Sequence, residues 1–159
     1  MDNNILNLFV FSIPEAVLIL TLCLSVLNKK HVFKKTLIYC FCILVYLFFV
    51  APYLKVHMLF MILYAMISIV SVKILYKTDF VNSLVSYSLA FAIYFAVENI
   101  YVQMVFALTN ISSQEFTNFF LFKAATFYIL LAVVYIISIF IKRKKVHIIL
   151  DTSSFKAGE

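Results

Sequence analysis

Glycine is almost missing from this chain, with one residue in 159, and proline occurs only twice. A fold of glycine-rich loops is thereby disfavoured, and long helices are favoured by the eighteen Phe and ten Tyr that stand in their place. Charge is equally scarce. Only 13% of residues are charged and 65% are hydrophobic, against about 25% and about 45–50% in soluble domains. With a mean hydropathy of +1.08, the solvent for most of this surface is lipid. Cysteine is limited to Cys23, Cys40 and Cys42, an odd set inside apolar runs. That excludes a disulfide framework, and the absence of a CxxC or Cys/His cluster removes the usual zinc signal. No cofactor or metal is expected, and no group reads as catalytic.

What is present is a series of long apolar runs. Transmembrane strands would alternate over segments of about 10 residues. Here the runs continue without alternation, so the expected fold is all-α: a polytopic transmembrane bundle with spans at about 4–28, 36–54, 57–76, 81–109 and 117–141. Residues 1–145 are expected to form this bundle and 146–159 a short cytoplasmic tail, polar from Asp151 onward. The first run lacks a basic n-region and an A-x-A-like site, so it is expected to stay as a span.

The net charge of +6 does not imply nucleic acid, because the cations sit beside the spans. Lys29, Lys30, Lys34 and Lys35 fill one loop, Lys73 and Lys77 another, and Lys142, Arg143, Lys144 and Lys145 close the last run. The intervening loops carry Lys55 and Glu115. The positive-inside rule then predicts an outer N-terminus, an inner C-terminus, and anionic headgroups as partners of those basic clusters. The expected location is a bacterial plasma membrane. Small local signals agree: Pro52 closes the second span, Asn110-Ile-Ser lies in an outer loop, and Ser88, Ala92 and Ala96 permit close helix approach.

Polar groups inside the spans are the candidate site. Ser12-Ile-Pro-Glu15 reads either as a capping box, with the helix starting there, or as a continuous helix kinked at Pro14 that frees the Val10 carbonyl. In both cases Glu15 lies at about the depth of Glu98 on the fourth span, with Lys123 of the fifth span somewhat further out. At 100° per residue, Tyr87, Phe91, Tyr94, Glu98 and Tyr101 share one stripe, and Ser88, Ala92, Asn99 and Gln103 the adjoining one. An outer-leaflet polar pocket of Glu15, Tyr94, Glu98, Asn99, Tyr101, Gln103 and Lys123 is the functional expectation. Interhelical hydrogen bonding that merely holds the bundle together is the structural alternative. Glu98 is expected as a neutral hydrogen-bonding carboxyl, with Lys123 reaching outward to water.

His31 and Cys40, in HVFKKTLIYC, are similar at first sight to the His–Cys pair of accessory-gene-regulator-type peptide-processing proteases, whose members stand seven apart. Nine residues turn a helix by about 900°, onto opposite faces, and Cys42 lies about 16 Å along the axis from His31. A protease is not expected. His57 and His147 sit at membrane borders.

FVFSIPEAVLIL, a Lys-rich loop and a later YFAVENIYV resemble small clostridial membrane proteins similar to the membrane sensor regions of accessory-gene-regulator-type peptide-sensing histidine kinases. The resemblance implies a multi-helix receptor for an extracellular signal, working with a cytoplasmic kinase. The residues after Lys145 carry no phosphoacceptor helix or ATP-binding domain, and five spans replace the family's six or seven. The expected function is therefore a receptor-like, non-enzymatic sensing module. The alternatives are a small solute- or proton-coupled transport component and a structural subunit of a membrane complex.

Overall fold

A computed structural model describes residues 8–50, 53, 57–109 and 120–144. Pro52, Lys55, Asn110, Glu115, Lys145, His147 and the tail lie outside the described residues. The described residues form an all-helical bundle of five helices: α1 (Ile13–Val26), α2 (Phe33–Val45), α3 (His57–Tyr76), α4 (Phe80–Thr109) and α5 (Phe120–Arg143). Leu8–Ser12 leads into α1 as a π-helical turn, and Tyr46–Val50 continues α2 in the same way. Phe33–Val50, Met58–Tyr76, Phe80–Thr109 and Phe120–Arg143 are long and apolar enough to cross a membrane, while the Val10–Val26 helix is shorter. The chain is a multi-pass membrane protein.

α1 is the central helix. α1 packs on α2, α4 and α5, and α3 lies between α2 and α4. Leu18, Ile19, Leu20, Leu22, Cys23, Leu24 and Val26 are all buried, as expected of a helix that is apolar on every face. The molecule's outside is equally apolar, with Phe33 at 73%, Phe49 at 71% and Leu121 at 83% exposure. Side chains so placed in water would drive aggregation, whereas in lipid they are at home. Small polar residues take the helix contacts. Tyr39 donates to Ser68 Oγ at 3.2 Å, Ser68 donates to the Tyr64 carbonyl at 2.9 Å, and Tyr46 donates to the Phe60 carbonyl at 2.7 Å. The two tyrosine bonds tie α2 to α3.

With glycine so rare, two helix ends adopt the left-handed conformation without it. Asn28 has φ 51° and Lys77 φ 50°. Lys29 N–H reaches back to the Leu24 carbonyl at 2.9 Å, and Thr78 N–H to the Lys73 carbonyl at 3.2 Å. Both are Schellman closures of the preceding helix. The next helix starts at once, as Ser83 bonds Thr78 at 2.6 Å and donates to the Asp79 carbonyl at 3.0 Å.

The capping-box reading of Ser12 does not hold. Ser12 is helical (φ −71°, ψ −36°) and makes no side-chain capping bond. The chain runs through Pro14 as a continuous helix. Proline offers no N–H to the Val10 carbonyl, and the Tyr128 hydroxyl of α5 donates to that carbonyl instead, at 3.4 Å.

The basic residues gather at one end. Lys29 and Lys77 line one shared cavity, and His31 and Lys142 another. Lys35 lies over the Tyr76 ring at 4.9 Å and Lys73 over the Phe80 ring at 5.6 Å. α4 therefore starts at the basic end and runs away from it.

Candidate functional site

The π-helical turn before α1 places Phe11 where α4 and α5 come together. Its ring meets Phe120 at 5.8 Å and Phe127 at 5.1 Å, both edge to face. Beside this aromatic cluster, in the half of the bundle remote from the basic end, lies a cavity of about 100 Å³. Glu98, Tyr101, Lys123 and Thr126 supply its polar wall; Phe11, Val102, Val105, Phe127 and Leu130 supply the rest. Pockets that enclose a whole drug-sized ligand run to about 300–1,000 Å³. This one fits a single side-chain-sized group or a few waters.

Helical spacing explains the convergence. Tyr94, Glu98 and Tyr101 stand at i, i+4 and i+7 on α4, and Lys123, Thr126, Phe127 and Leu130 at i, i+3, i+4 and i+7 on α5. Tyr94 is buried at 2% exposure, and Glu15, Glu98, Tyr101 and Lys123 are half-buried. The Glu15 carboxyl, the Tyr94 hydroxyl and the Glu98 carboxyl lie within electrostatic reach of one another. Two carboxyls from different helices thus lie near one phenol.

Lys123 does not pair with Glu98. Its Nζ sits over the Phe11 ring, 4.9 Å from the centroid, and among the described residues it makes no salt bridge with Glu98. A cation over an aromatic face is stabilised by the ring quadrupole without a counter-charge. Thr126 donates to the Phe122 and Lys123 carbonyls, each at 2.9 Å, which leaves its oxygen as an acceptor on the wall.

Five of the sequence-derived site residues therefore come together: Glu15, Tyr94, Glu98, Tyr101 and Lys123. Asn99 and Gln103 do not join them. Both are exposed on the outward face of α4, and Asn99 donates to its own helix at the Phe95 carbonyl, 2.7 Å away. The reason is the 100° step per residue, which turns Asn99 off the stripe that carries Glu98. Ser88, Ala92 and Ala96 share this outward face. Phe11, Thr126 and Phe127 were not anticipated. The i, i+3, i+4, i+7 pattern from Lys123 to Leu130 was the available signal.

His31 precedes α2, and its Nε2 lies 3.1 Å from Thr36 Oγ1, so the imidazole is engaged by threonine. Cys40 and Cys42 are half-buried on α2. Among the described residues no three His, Cys, Asp or Glu side chains gather into a metal site. No protein-family model, curated protein or solved structure matches the chain.

Proposed function

We propose that the chain is a receptor-like module of a bacterial plasma membrane, with its N-terminus outside and its C-terminus inside. On this reading the cavity lined by Glu98 and Lys123 sits in the outer leaflet and receives part of an extracellular ligand. The observation that carries the reading is a carboxyl and an ammonium on one largely apolar wall, not bridged to each other. Intramembrane ionisable groups are expensive to place, and these two are not spent on each other. An inserted group would be small and amphipathic, such as the amino-terminal residue of a short apolar peptide, with its ammonium on Glu98 and its side chain among Phe11, Val105 and Phe127. The lysine clusters of the inner ends contact anionic headgroups, and a separate cytoplasmic kinase would carry the signal onward.

A thermal-shift screen of short apolar peptides on the purified protein tests this. A hit whose stabilisation is lost in Glu98→Gln and kept in Asn99→Leu supports the reading. Equal loss in both variants contradicts it.

The closeness of Glu15, Tyr94 and Glu98 favours a second reading, proton-coupled transport, because intramembrane carboxyls beside a phenol are the groups a proton relay uses. Dye-loaded vesicles separate the two. Proton flux abolished by Glu98→Gln supports transport, and binding without flux supports sensing.

A further inference from the structure

The bundle holds a second polar cavity, at the basic end, that the outer site does not use. It lies between α1 and α5 and measures about 390 Å³. His31, Lys142 and Ser25 stand at its mouth; Ser138 lines its middle and Tyr135 its far end; Val17 and Ile139 also line it. From Ser25 to Val17 is eight residues of helix, and from Lys142 to Tyr135 seven. At 1.5 Å per residue the cleft runs inward for about 10–12 Å. It is cationic at the border, hydroxyl-bearing below that, and carries apolar side chains along its length.

That gradient matches one kind of molecule. We propose that the α1–α5 cleft binds an anionic phospholipid. The phosphate sits against Lys142 and His31, the glycerol ester region lies along the hydroxyls, and one acyl chain rests on Val17 and Ile139. No carboxylate lines the cleft among the described residues, so an anion meets no opposing charge there. The other basic cavity differs in this respect, since Asp79 lies on its wall beside Lys29 and Lys77.

Two observations set the site apart from a merely basic surface. Ser138 is 2% exposed, lines the cleft, and makes no hydrogen bond among the described residues. A serine on a helix usually satisfies its hydroxyl on the preceding turn, as Ser25 does here on the Thr21 carbonyl at 2.9 Å. Ser138 is left with a donor for the cleft, where an ester or phosphate oxygen would accept it. The second observation is the hold on His31. Its Nε2 contact with Thr36 at 3.1 Å fixes the imidazole at the mouth, so a phosphate meets a pre-placed ring. Basic pockets between helices on the cytoplasmic side are a recognised form of headgroup site. The proposal rests on the membrane character of the chain and is independent of the outer cavity.

The test uses the full chain in neutral detergent, with binding read by native mass spectrometry and by melting temperature. Phosphatidylglycerol, phosphatidylcholine and inorganic phosphate are added in parallel. Lys142→Gln and His31→Gln are compared with Lys30→Gln and Arg143→Gln, which remove equal or greater charge outside the cleft. One retained phosphatidylglycerol, no comparable retention of phosphatidylcholine, and about tenfold weaker binding in Lys142→Gln, as for the loss of one contact to a charged group, support the site. Lys30→Gln should weaken it by less than about twofold. Equal losses in cleft and control variants would overturn the proposal in favour of diffuse attraction. Stabilisation by inorganic phosphate without lipid retention would overturn the lipid assignment. Ser138→Ala guards against a folding artefact, because it deletes only a hydroxyl and should weaken lipid retention at unchanged lipid-free melting temperature. Unchanged retention in Ser138→Ala also counts against the site.

Discussion

Lys123 carries its ammonium over the Phe11 ring at 4.9 Å and not onto Glu98, and this decides what Glu98→Gln does. A buried partner stripped of its counter-charge would cost roughly 3–5 kcal/mol. A carboxyl without such a partner is replaced by an amide that keeps much of its hydrogen bonding, so Glu98→Gln should cost under about 1 kcal/mol. Melting curves of Glu98→Gln, alone and with Lys123→Met, check this: a large loss rescued by the second substitution would show an ion pair after all. At the other end, Lys77 holds φ 50° on a side chain with a Cβ. Left-handed backbone costs such a residue about 1–2 kcal/mol, partly offset in a glycine variant by greater freedom of the unfolded chain. Lys77→Gly should therefore stabilise by about 0.5–1 kcal/mol, and Asn28→Gly by less, since asparagine tolerates this region. Chemical denaturation of both variants gives the comparison.

α1 shows at the scale of a helix how far the sequence could be read. FSIPEA alone allowed a capping box at Ser12 or a continuous helix that frees the Val10 carbonyl, and the helical Ser12 decides for the second. What takes up that carbonyl could not be read there, because Tyr128 lies 118 positions along the chain. The stripe on α4 was legible for the same reason in reverse: Tyr94, Glu98 and Tyr101 are local spacing. Asn99 and Gln103 are equally polar, and which stripe faces α1 and α5 is set by packing, so composition could not separate them. The ends near Asn28 and Lys77 were legible from the apolar runs, but their left-handed closures were hidden because glycine, the usual cue, is absent there. The Tyr128 bond also makes a test. Tyr128→Phe should cost about 0.5–1 kcal/mol in the natural chain. In a Pro14→Ala background, the substituted residue supplies the N–H that the Val10 carbonyl lacks, and the cost should vanish. A double-mutant cycle with no coupling would mean that the carbonyl is satisfied otherwise.

On the scale of the molecule, the apolar helix α1 packs against α2, α4 and α5, with cations gathered at one end and a carboxyl–lysine cavity towards the other. The proposed orientation places the cations inside and the cavity outside, and expects a thiol at Ser113 to react from outside and one at Ser153 from inside. The central claim is narrower: the cavity is wet and opens to the exterior. Val105 lines it, while Met104, one residue away, is 55% exposed on the apolar surface. In a chain with Cys23, Cys40 and Cys42 replaced by Ala, single cysteines at these two positions differ by about 100° around one helix at nearly the same depth. Labelling of intact cells with a small, membrane-impermeant thiol reagent is the most direct measurement. The account predicts that Val105→Cys reacts from outside and Met104→Cys, facing lipid, does not. Equal reactivity of the two, or reaction of Val105→Cys only in inverted vesicles, would contradict it.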